Sequence, residues 1–578
     1  MAKRVQRKAA GRKRAAGQAP AAGARAAATR KALMIVGGPY HLTDKAGEIA
    51  QQVLAASGGG WELSVTSDLD ALAALPTSDF AVLIIHTTGH REALMPEREK
   101  GLLSFVQGGG GLVAVHSAAD SFRDSRAYIE MLNAEFRTHP RFQEIPVQIT
   151  DRDHYLTVRM PDFAIEDELY LLQSHEPARS RILAETTWQG RRMPLVFVHP
   201  YGKGRVAYLA LGHSLASWQN PEFQKLLGRS VRWATGAELD TTAKVRCGLL
   251  GYGPSWNMGK AHGQFINEQA GMTTVAVCDI DPARRAAAEQ ELPGLRTFES
   301  LGAMLKADDI NLVVDILPHN LHAETALECL KAGRHVVLEK PFCLTTQEAT
   351  EMIQAARRGG RMLSVFHNRR WDSDYQAIRS IMARGLLGKV FHVEAFMGGY
   401  DRPGTSWRSD KMVSGGALYD WGAHFVDWIL RLMGRRVTQV TGFMQKRWWQ
   451  HVTNEDQAEA VIRFEDGEVA DLQISSLAAA TKPRWRILGT QGALVSQGGD
   501  SHRVISHACG HAVDGQVPFK GALSGRPYYR NIADHLLAGE PLEVTAEQAR
   551  EVIAVIETAE RSSAEGRSLP LPPEVYAG

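Results

Sequence analysis

Two successive series of short apolar runs, each run separated from the next by a helix-length segment, constrain this chain more than any other feature. The first series is "KALMIVGG" (31–38), "DFAVLIIH" (79–86), "GGLVAVHS" (110–117) and "RVAYLALGH" (205–213), with helical stretches such as 44–56 and 97–107 between them. Strands that are apolar throughout must be covered on both faces, the condition met by a parallel sheet flanked by helices. "PEFQKLLGRSVRWATG" (221–236) closes the series as a helix with Pro221 in its first turn and Gly236 at its stop. After the polar linker "AELDTTAK" (237–244) come "VRCGLLGYG" (245–253), "TTVAVCD" (273–279), "INLVVDIL" (310–317), "RHVVLEKP" (334–341) and "MLSVFHN" (362–368). From about residue 370 the period changes to two, as in "KVFHVEAFMGG" (389–399), "AEAVIRFEDG" (458–467) and "VADLQISS" (469–476), which predicts a mostly antiparallel open sheet. The expected architecture is α/β: a tail over 1–31, a parallel-sheet domain over 32–236, a linker over 237–243, a second parallel-sheet domain over 244–368, and an α+β domain over 369–578.

Charge is unevenly placed. The chain has 66 basic and 64 acidic residues, for a net +2. Ten of the bases fall in the first 31 positions and the first acid is Asp44, so the remainder carries eight more acids than bases. The tail is rich in Ala, Gly, Arg and Lys and predicts a disordered, solvated extension. It has no apolar core of a secretory signal, and no apolar run approaches the roughly 18 residues of a membrane span. Neither nucleic acid nor membrane is an expected partner. The five cysteines, Cys247, Cys278, Cys329, Cys343 and Cys509, are scattered without CxxC spacing, a reduced pattern that predicts a cytoplasmic protein.

"GLLGYGPSWNMGKAHGQFI" (248–266) sets Gly251, Gly253 and Gly259 between a strand and a helix, where phosphate can approach backbone N–H groups. The third glycine is displaced by three residues from the usual G-x-G-x-x-G spacing. Asp279 ends the next strand, 28 residues after Gly251, and can accept hydrogen bonds from ribose hydroxyls while repelling a 2′-phosphate. These features predict a Rossmann domain that binds NAD in preference to NADP.

"HVVLEKPF" (335–342) places Glu339 and Lys340 at the carboxyl end of a later strand, where ligands of such sheets bind. Pro341 stiffens the turn, through a trans or a cis bond. Lys340 is positioned to stabilise an alkoxide. In "SGGALYDWGAHFVDWILRLMG" (414–434), Asp420 and His424 lie four residues apart, so on an α-helix they share a face. Asp420 is expected to orient His424 as a general base.

Together these residues resemble the Gfo/Idh/MocA oxidoreductases over about 244–578. The resemblance rests on the glycine loop with His262, Asp279, "LPHNLHAETALECLKAGRHVVLEKPF" (317–342), "NRRWD" (368–372) and the G-G-x-x-x-D-x-G-x-H of 415–424. It implies NAD(P)-dependent oxidation or reduction of sugars, cyclitols and glycosides, and a C-terminal sheet that mediates homo-oligomers. It also implies Lys340 and His424 as the catalytic pair with Asp420 in support. Pro318, Asn320, His322 and Glu339 would line the nicotinamide side, and Asn368 and Arg408 would contact substrate hydroxyls.

Residues 32–236 resemble the ThuA-like (trehalose-utilisation) family, of flavodoxin-like, class I glutamine amidotransferase fold. The matching stretches are "GGGGLVAVHSAAD" (108–120), "EFRTHP" (135–140), "DELY" (167–170), "SHEP" (174–177) and "GKGRVAYLALGHSLASWQNPEF" (202–223). An amidotransferase needs a cysteine nucleophile after the strand; here His116 and Ser117 occupy that point and the domain contains no cysteine. His116, Glu135, His139 and His213 are candidates for a polar carbohydrate pocket. No metal-ligand spacing is present, so no metal is expected. The chain reads as an NAD-dependent oxidoreductase of a sugar ring hydroxyl, giving a 3-keto sugar, with a fused domain that binds or processes the sugar. An NAD-recycling glycosidase or lyase and a non-catalytic sensor remain as alternatives.

Overall fold

The computed structural model describes residues 29–41, 43–57, 60–88, 94–240, 242–508, 510–521 and 525–576. The basic tail up to residue 28 and Cys509 lie outside the described residues. Two hydrophobic cores organise the remainder. One runs from Ala32 to Ala234, and the other extends without a break from Val245 to Val575. The two C-terminal units read from the sequence therefore share one core, while the N-terminal domain has its own.

The N-terminal sheet has nine strands in the order Trp61–Thr66, Arg30–Gly37, Phe80–Thr87, Gly111–Val115, Gly204–Leu209, Arg191–Tyr201, Arg181–Trp188, Gln143–Ile149 and Phe163–Asp167. The first five are mutually parallel; four of them are the apolar runs read from the sequence, and the fifth, Trp61–Thr66, is a half-exposed edge strand that the apolar runs did not mark. The other four form an antiparallel wing that the apolar runs did not reveal. Gln143–Ile149 explains why: its residues alternate between buried and exposed, and Pro146 interrupts it. The parallel strands present their carboxyl ends on one edge, which carries His86 at a strand end, His116 directly after Val115, and His41 and His213 in the loops beyond.

The second sheet has six parallel strands in the order Arg296–Phe298, Met272–Cys278, Val245–Leu250, Leu312–Asp315, His335–Leu338 and Leu363–Val365. This is the 3-2-1-4-5-6 order of a Rossmann domain, with its switch point between Val245–Leu250 and Leu312–Asp315. The third sheet has eight strands, in the order Val437–Gln445, Gln457–Phe464, Val469–Ser475, Val390–Gly398, Trp485–Gly489, Gly492–Gln497, Ser501–Ser506 and Val513–Pro518. Only the pair Val390–Gly398 and Val469–Ser475 is parallel.

Helix Arg526–Ala538 returns from the third sheet and joins all three units. On one side Tyr529 reaches His262 of the Rossmann domain, with 2.7 Å between its hydroxyl and Nδ1. On another, Asp534 accepts from Arg159 Nε at 2.6 Å and Lys225 Nζ at 2.9 Å, and lies 3.0 Å from Arg229 Nη2. Glu540 pairs with Arg229 and lies 3.5 Å from Lys225 Nζ. Asp534 and Arg229 are fully buried. Burial would raise the Asp534 carboxyl, but the charges of Arg229, Lys225 and Arg159 outweigh it and hold it well below the usual range.

Candidate active site

The glycine loop follows strand Val245–Leu250. Gly251 has φ +92°, a left-handed conformation that side chains disfavour. A Cβ on Gly253 would meet open space, whereas one on Gly259 would sit 2.5 Å from the Tyr252 ring. Gly253 thus leaves room for a ligand, and Gly259 lets helix Met258–Asn267 pack against the loop. The three extra residues form a 3₁₀ turn, Ser255–Asn257, in which Trp256 and Asn257 take φ near +58° and +54°, and Trp256 is 81% exposed. Asp279 accepts from the backbone N–H of Tyr252 at 2.7 Å and of Asp281 at 2.9 Å, which aims its carboxylate at the loop. An open glycine, a helix N-terminus and an oriented acid together fit a dinucleotide.

Across the switch point, Glu339 and Lys340 end strand His335–Leu338, and the Lys340–Pro341 bond is cis. Glu339 lies 3.0 Å from His262 Nε2 and accepts from the Lys340 backbone N–H at 3.0 Å. The buried row Tyr529–His262–Glu339 therefore fixes the backbone from which the lysine projects. Lys340 Nζ donates to Asp420 Oδ1 at 2.5 Å, and Arg408 Nη1 stands 3.6 Å from the same oxygen. Burial alone would raise the Asp420 carboxyl, but the Lys340 charge, then that of Arg408, hold it well below the usual carboxylate range.

The expected pairing of Asp420 with His424 is not formed. Leu418–Gly422 is a π-helical turn, after which Ala423–Met433 continues as an α-helix. The wider turn rotates Asp420 out of line with His424, so a four-residue spacing no longer means one face. Glycines precede it: Gly415 and Gly416 have φ +88° and +124°, and a Cβ on Gly416 would come 2.8 Å from Glu455. His424 is buried among Trp428, Trp421 and His367, with ring centroids at 6.2, 5.7 and 6.1 Å. Burial, then the nearby Lys340 charge, depress its pKa well below the ordinary imidazole value, so its ring is neutral at neutral pH.

The remaining expected residues divide by availability. Asn320 and Asn368 make no side-chain hydrogen bond to the described residues, and so are free to meet a ligand. Pro318 caps the short turn His319–Leu321 beside them. His322 has both ring nitrogens taken, near Pro341 O at 2.9 Å and Leu317 O at 3.0 Å, and ties the two strand-end loops together. Two residues of this site escaped the sequence reading. His319 lies 2.8 Å from Ser414 O, and His367 is buried with no partner on either nitrogen. Only its place directly before "NRRWD" could have marked His367.

In the N-terminal domain, His116 and His213 converge, but with His41, which the sequence reading did not single out. Glu168 of the "DELY" stretch faces them, 3.1 Å from His213 Nδ1 and 3.7 Å from His116 Nε2. His139 stands at the rim, 3.7 Å from Glu168 Oε1. Glu135 is engaged elsewhere, accepting from Ser174 Oγ at 3.0 Å and facing Arg123 at 3.5 Å.

Burial depresses the pKa of His154, His335 and His367 to about 4 each. Nδ1 of His154 and of His335 accepts a backbone N–H, as a neutral ring can. Unfolding returns each to about 6.5. The unfolded chain then binds more protons, so stability is full above about pH 6.5 and is lost as pH falls through about 4. The unfolding temperature is expected to drop by several degrees between about pH 7 and about pH 5 at fixed salt. A flat profile would contradict it.

Three stretches of the chain match known families. Residues 245–367 match the oxidoreductase family with an NAD-binding Rossmann fold, and 375–495 match the GFO/IDH/MocA C-terminal domain. Residues 31–234 match the ThuA family, described as trehalose utilisation. The chain belongs to the Gfo/Idh/MocA oxidoreductases and carries a ThuA-like domain fused ahead of the dehydrogenase. The scyllo-inositol 2-dehydrogenase (NADP(+)) IolW of Bacillus subtilis (strain 168) is 30% identical over 357 residues, covering 57% of this chain and 96% of that one. The uncharacterized oxidoreductase YdgJ of Escherichia coli (strain K12) is 29% identical over 336 residues, covering 54% and 94%. An NAD-binding protein from Listeria innocua has a similar structure, with a TM-score of 0.50 at 27% identity over 57% of this chain and 97% of that one. No helix among the described residues is long and apolar enough to cross a membrane.

Proposed function

We propose that the chain oxidises a ring hydroxyl of a sugar, glycoside or disaccharide, giving a keto sugar, with NAD as the hydride acceptor. One observation carries the reading: a clamped Lys340 ammonium and a neutral His424 flank the carboxyl end of Rossmann strand His335–Leu338, one strand beyond the switch point. A bound nicotinamide supplies the acceptor for hydride. His424 takes the hydroxyl proton, for which its neutral ring is ready. Lys340 stabilises the oxyanion that develops, and Asp420 holds the ammonium in place. Arg408, Asn368 and Asn320 supply polar contacts for substrate and cofactor.

The choice of NAD rests on Asp279, whose carboxylate would repel a 2′-phosphate, with two arginines nearby that bear on the same choice. Arg285 Nη1 donates to the carbonyls of Asp279 and Ile280, at 2.7 and 3.1 Å, and Arg284 leans towards Asp281 at 4.0 Å. A relative named for NADP(+) makes the comparison worth measuring directly. The reading also includes homo-oligomerisation through the open face of the eight-stranded sheet, where Phe391 and Phe443 are about half exposed; a monomeric mass in sedimentation would remove that part.

The test is absorbance at the reduced-nicotinamide band with glucosides, disaccharides and cyclitols, each with NAD and with NADP, and product mass from the same wells. The expected result is NADH together with a product two hydrogens lighter. Cleaved glycoside with no net NADH would replace this reading with a glycosidase that oxidises its substrate transiently. No change with any sugar would sink both.

A further inference from the structure

Away from the dehydrogenase site, the N-terminal domain gathers three imidazoles, four of whose buried nitrogens make no hydrogen bond. His41 follows strand Arg30–Gly37, His116 follows Gly111–Val115, and His213 follows Gly204–Leu209, all on the carboxyl edge of the parallel strands. One ligand atom from each lies within 4.8 Å of the others, and the ring centroids are 5.2, 4.9 and 5.4 Å apart. Both nitrogens of His41, Nε2 of His116 and Nδ1 of His213 are shielded from solvent and accept or donate no hydrogen bond. Leaving such an atom unpaired costs about 1–3 kcal/mol, so several in one place call for a ligand.

The surroundings orient the rings for one. His116 Nδ1 lies 2.8 Å from Ala210 O, which places the proton on that nitrogen and turns a lone pair outward on Nε2. His116 holds this position with φ +41°, a strained conformation for a histidine. Asp167 accepts from the backbone N–H of Gly212 at 2.7 Å and of His213 at 3.0 Å, which fixes the loop that carries the third ring.

The geometry points to a binding site for a divalent first-row transition metal, with His41, His116 and His213 as ligands and Glu168 beside an open fourth position. Three imidazoles suit zinc and its neighbours, whereas Mg²⁺ and Ca²⁺ take oxygen ligands. Metal–nitrogen bonds of about 2.1 Å put tetrahedral ligand atoms roughly 3.4 Å apart, which the cluster reaches by small ring rotations. Three protein ligands leave a fourth position for water or a substrate oxygen. Glu168, 3.1 Å from His213, is placed to accept a hydrogen bond from a metal-bound water. The ligands lie at positions 41, 116 and 213, so no short spacing in the sequence marks them.

The experiment uses the full chain without a histidine tag, stripped with a chelator, reloaded with Zn²⁺ alone and dialysed. About one zinc per chain is expected, and X-ray absorption should show three imidazole nitrogens at about 2.0 Å. His41→Ala with His213→Ala should lower bound zinc at least tenfold with an unchanged circular dichroism spectrum. Zinc below a tenth of an equivalent in the native chain, a shell containing sulfur, or full zinc in the folded double variant would overturn the site. Should the double variant misfold, the absorption spectrum of the native chain decides alone.

Discussion

Lys340→Ala is expected to lower kcat/KM for any accepted sugar by about 10³-fold or more, while NAD affinity changes by no more than a few fold. The asymmetry follows from position. Lys340 projects from a strand end towards Asp420 and Arg408, whereas the glycine loop, helix Met258–Asn267 and Asp279 lie on the other side of the switch point, two and three strands away. Removing a charge that meets the developing oxyanion costs about 10²–10³-fold, and losing the arrangement that supports proton transfer adds to it. Lys340→Arg should not rescue, because a planar fork cannot replace a point charge 2.5 Å from one carboxylate oxygen. NAD binding by fluorescence and turnover by NADH absorbance separate the two effects. Full activity of Lys340→Ala would refute the assignment. Equal loss of NAD binding would make Lys340 a cofactor residue instead.

Asp534→Ala should destabilise the chain by about 3–5 kcal/mol, the usual cost of stripping one partner from a buried ionic cluster. Arg159 and Arg229 are buried against this carboxylate and Lys225 nearly so; Glu540 would be left facing Arg229 and Lys225, and Arg159 would lose its carboxylate partner. The loss falls on the contact between the ThuA-like domain and helix Arg526–Ala538. Two readouts should move together: a lower midpoint of the first denaturant transition, and faster proteolytic cleavage within 237–244. Asp534→Asn, which keeps the volume and one acceptor, should fall between. A shift under about 1 kcal/mol with an intact linker would show that apolar packing, not this cluster, holds the domains together.

Much of the fold and part of the site were legible before any tertiary contact was known. Apolar runs within 79–86 and 310–317 marked buried parallel strands, because only such strands can be apolar on both faces. Gly251, Asp279 and Lys340 were legible for a related reason: each is set by its own strand, and a strand end in a parallel sheet has one geometric meaning. The antiparallel wing was hidden because Gln143–Ile149 is short, half exposed and broken by Pro146.

What the residues could not declare alone depends on which distant segments meet. Asp420 and His424 carry the spacing of a helical pair, yet a π turn and the arrival of Lys340 and Arg408 give the carboxylate other partners. His41 is an ordinary loop histidine until three parallel strands bring it beside His116 and His213. Asp534 is one acid on an amphipathic helix until two arginines and a lysine of another domain close over it. Local sequence determines backbone preference and which face is apolar, because those energies act within a few residues. Charge pairing and the sharing of a ligand act across gaps of tens to hundreds of residues, and only the packed chain decides them.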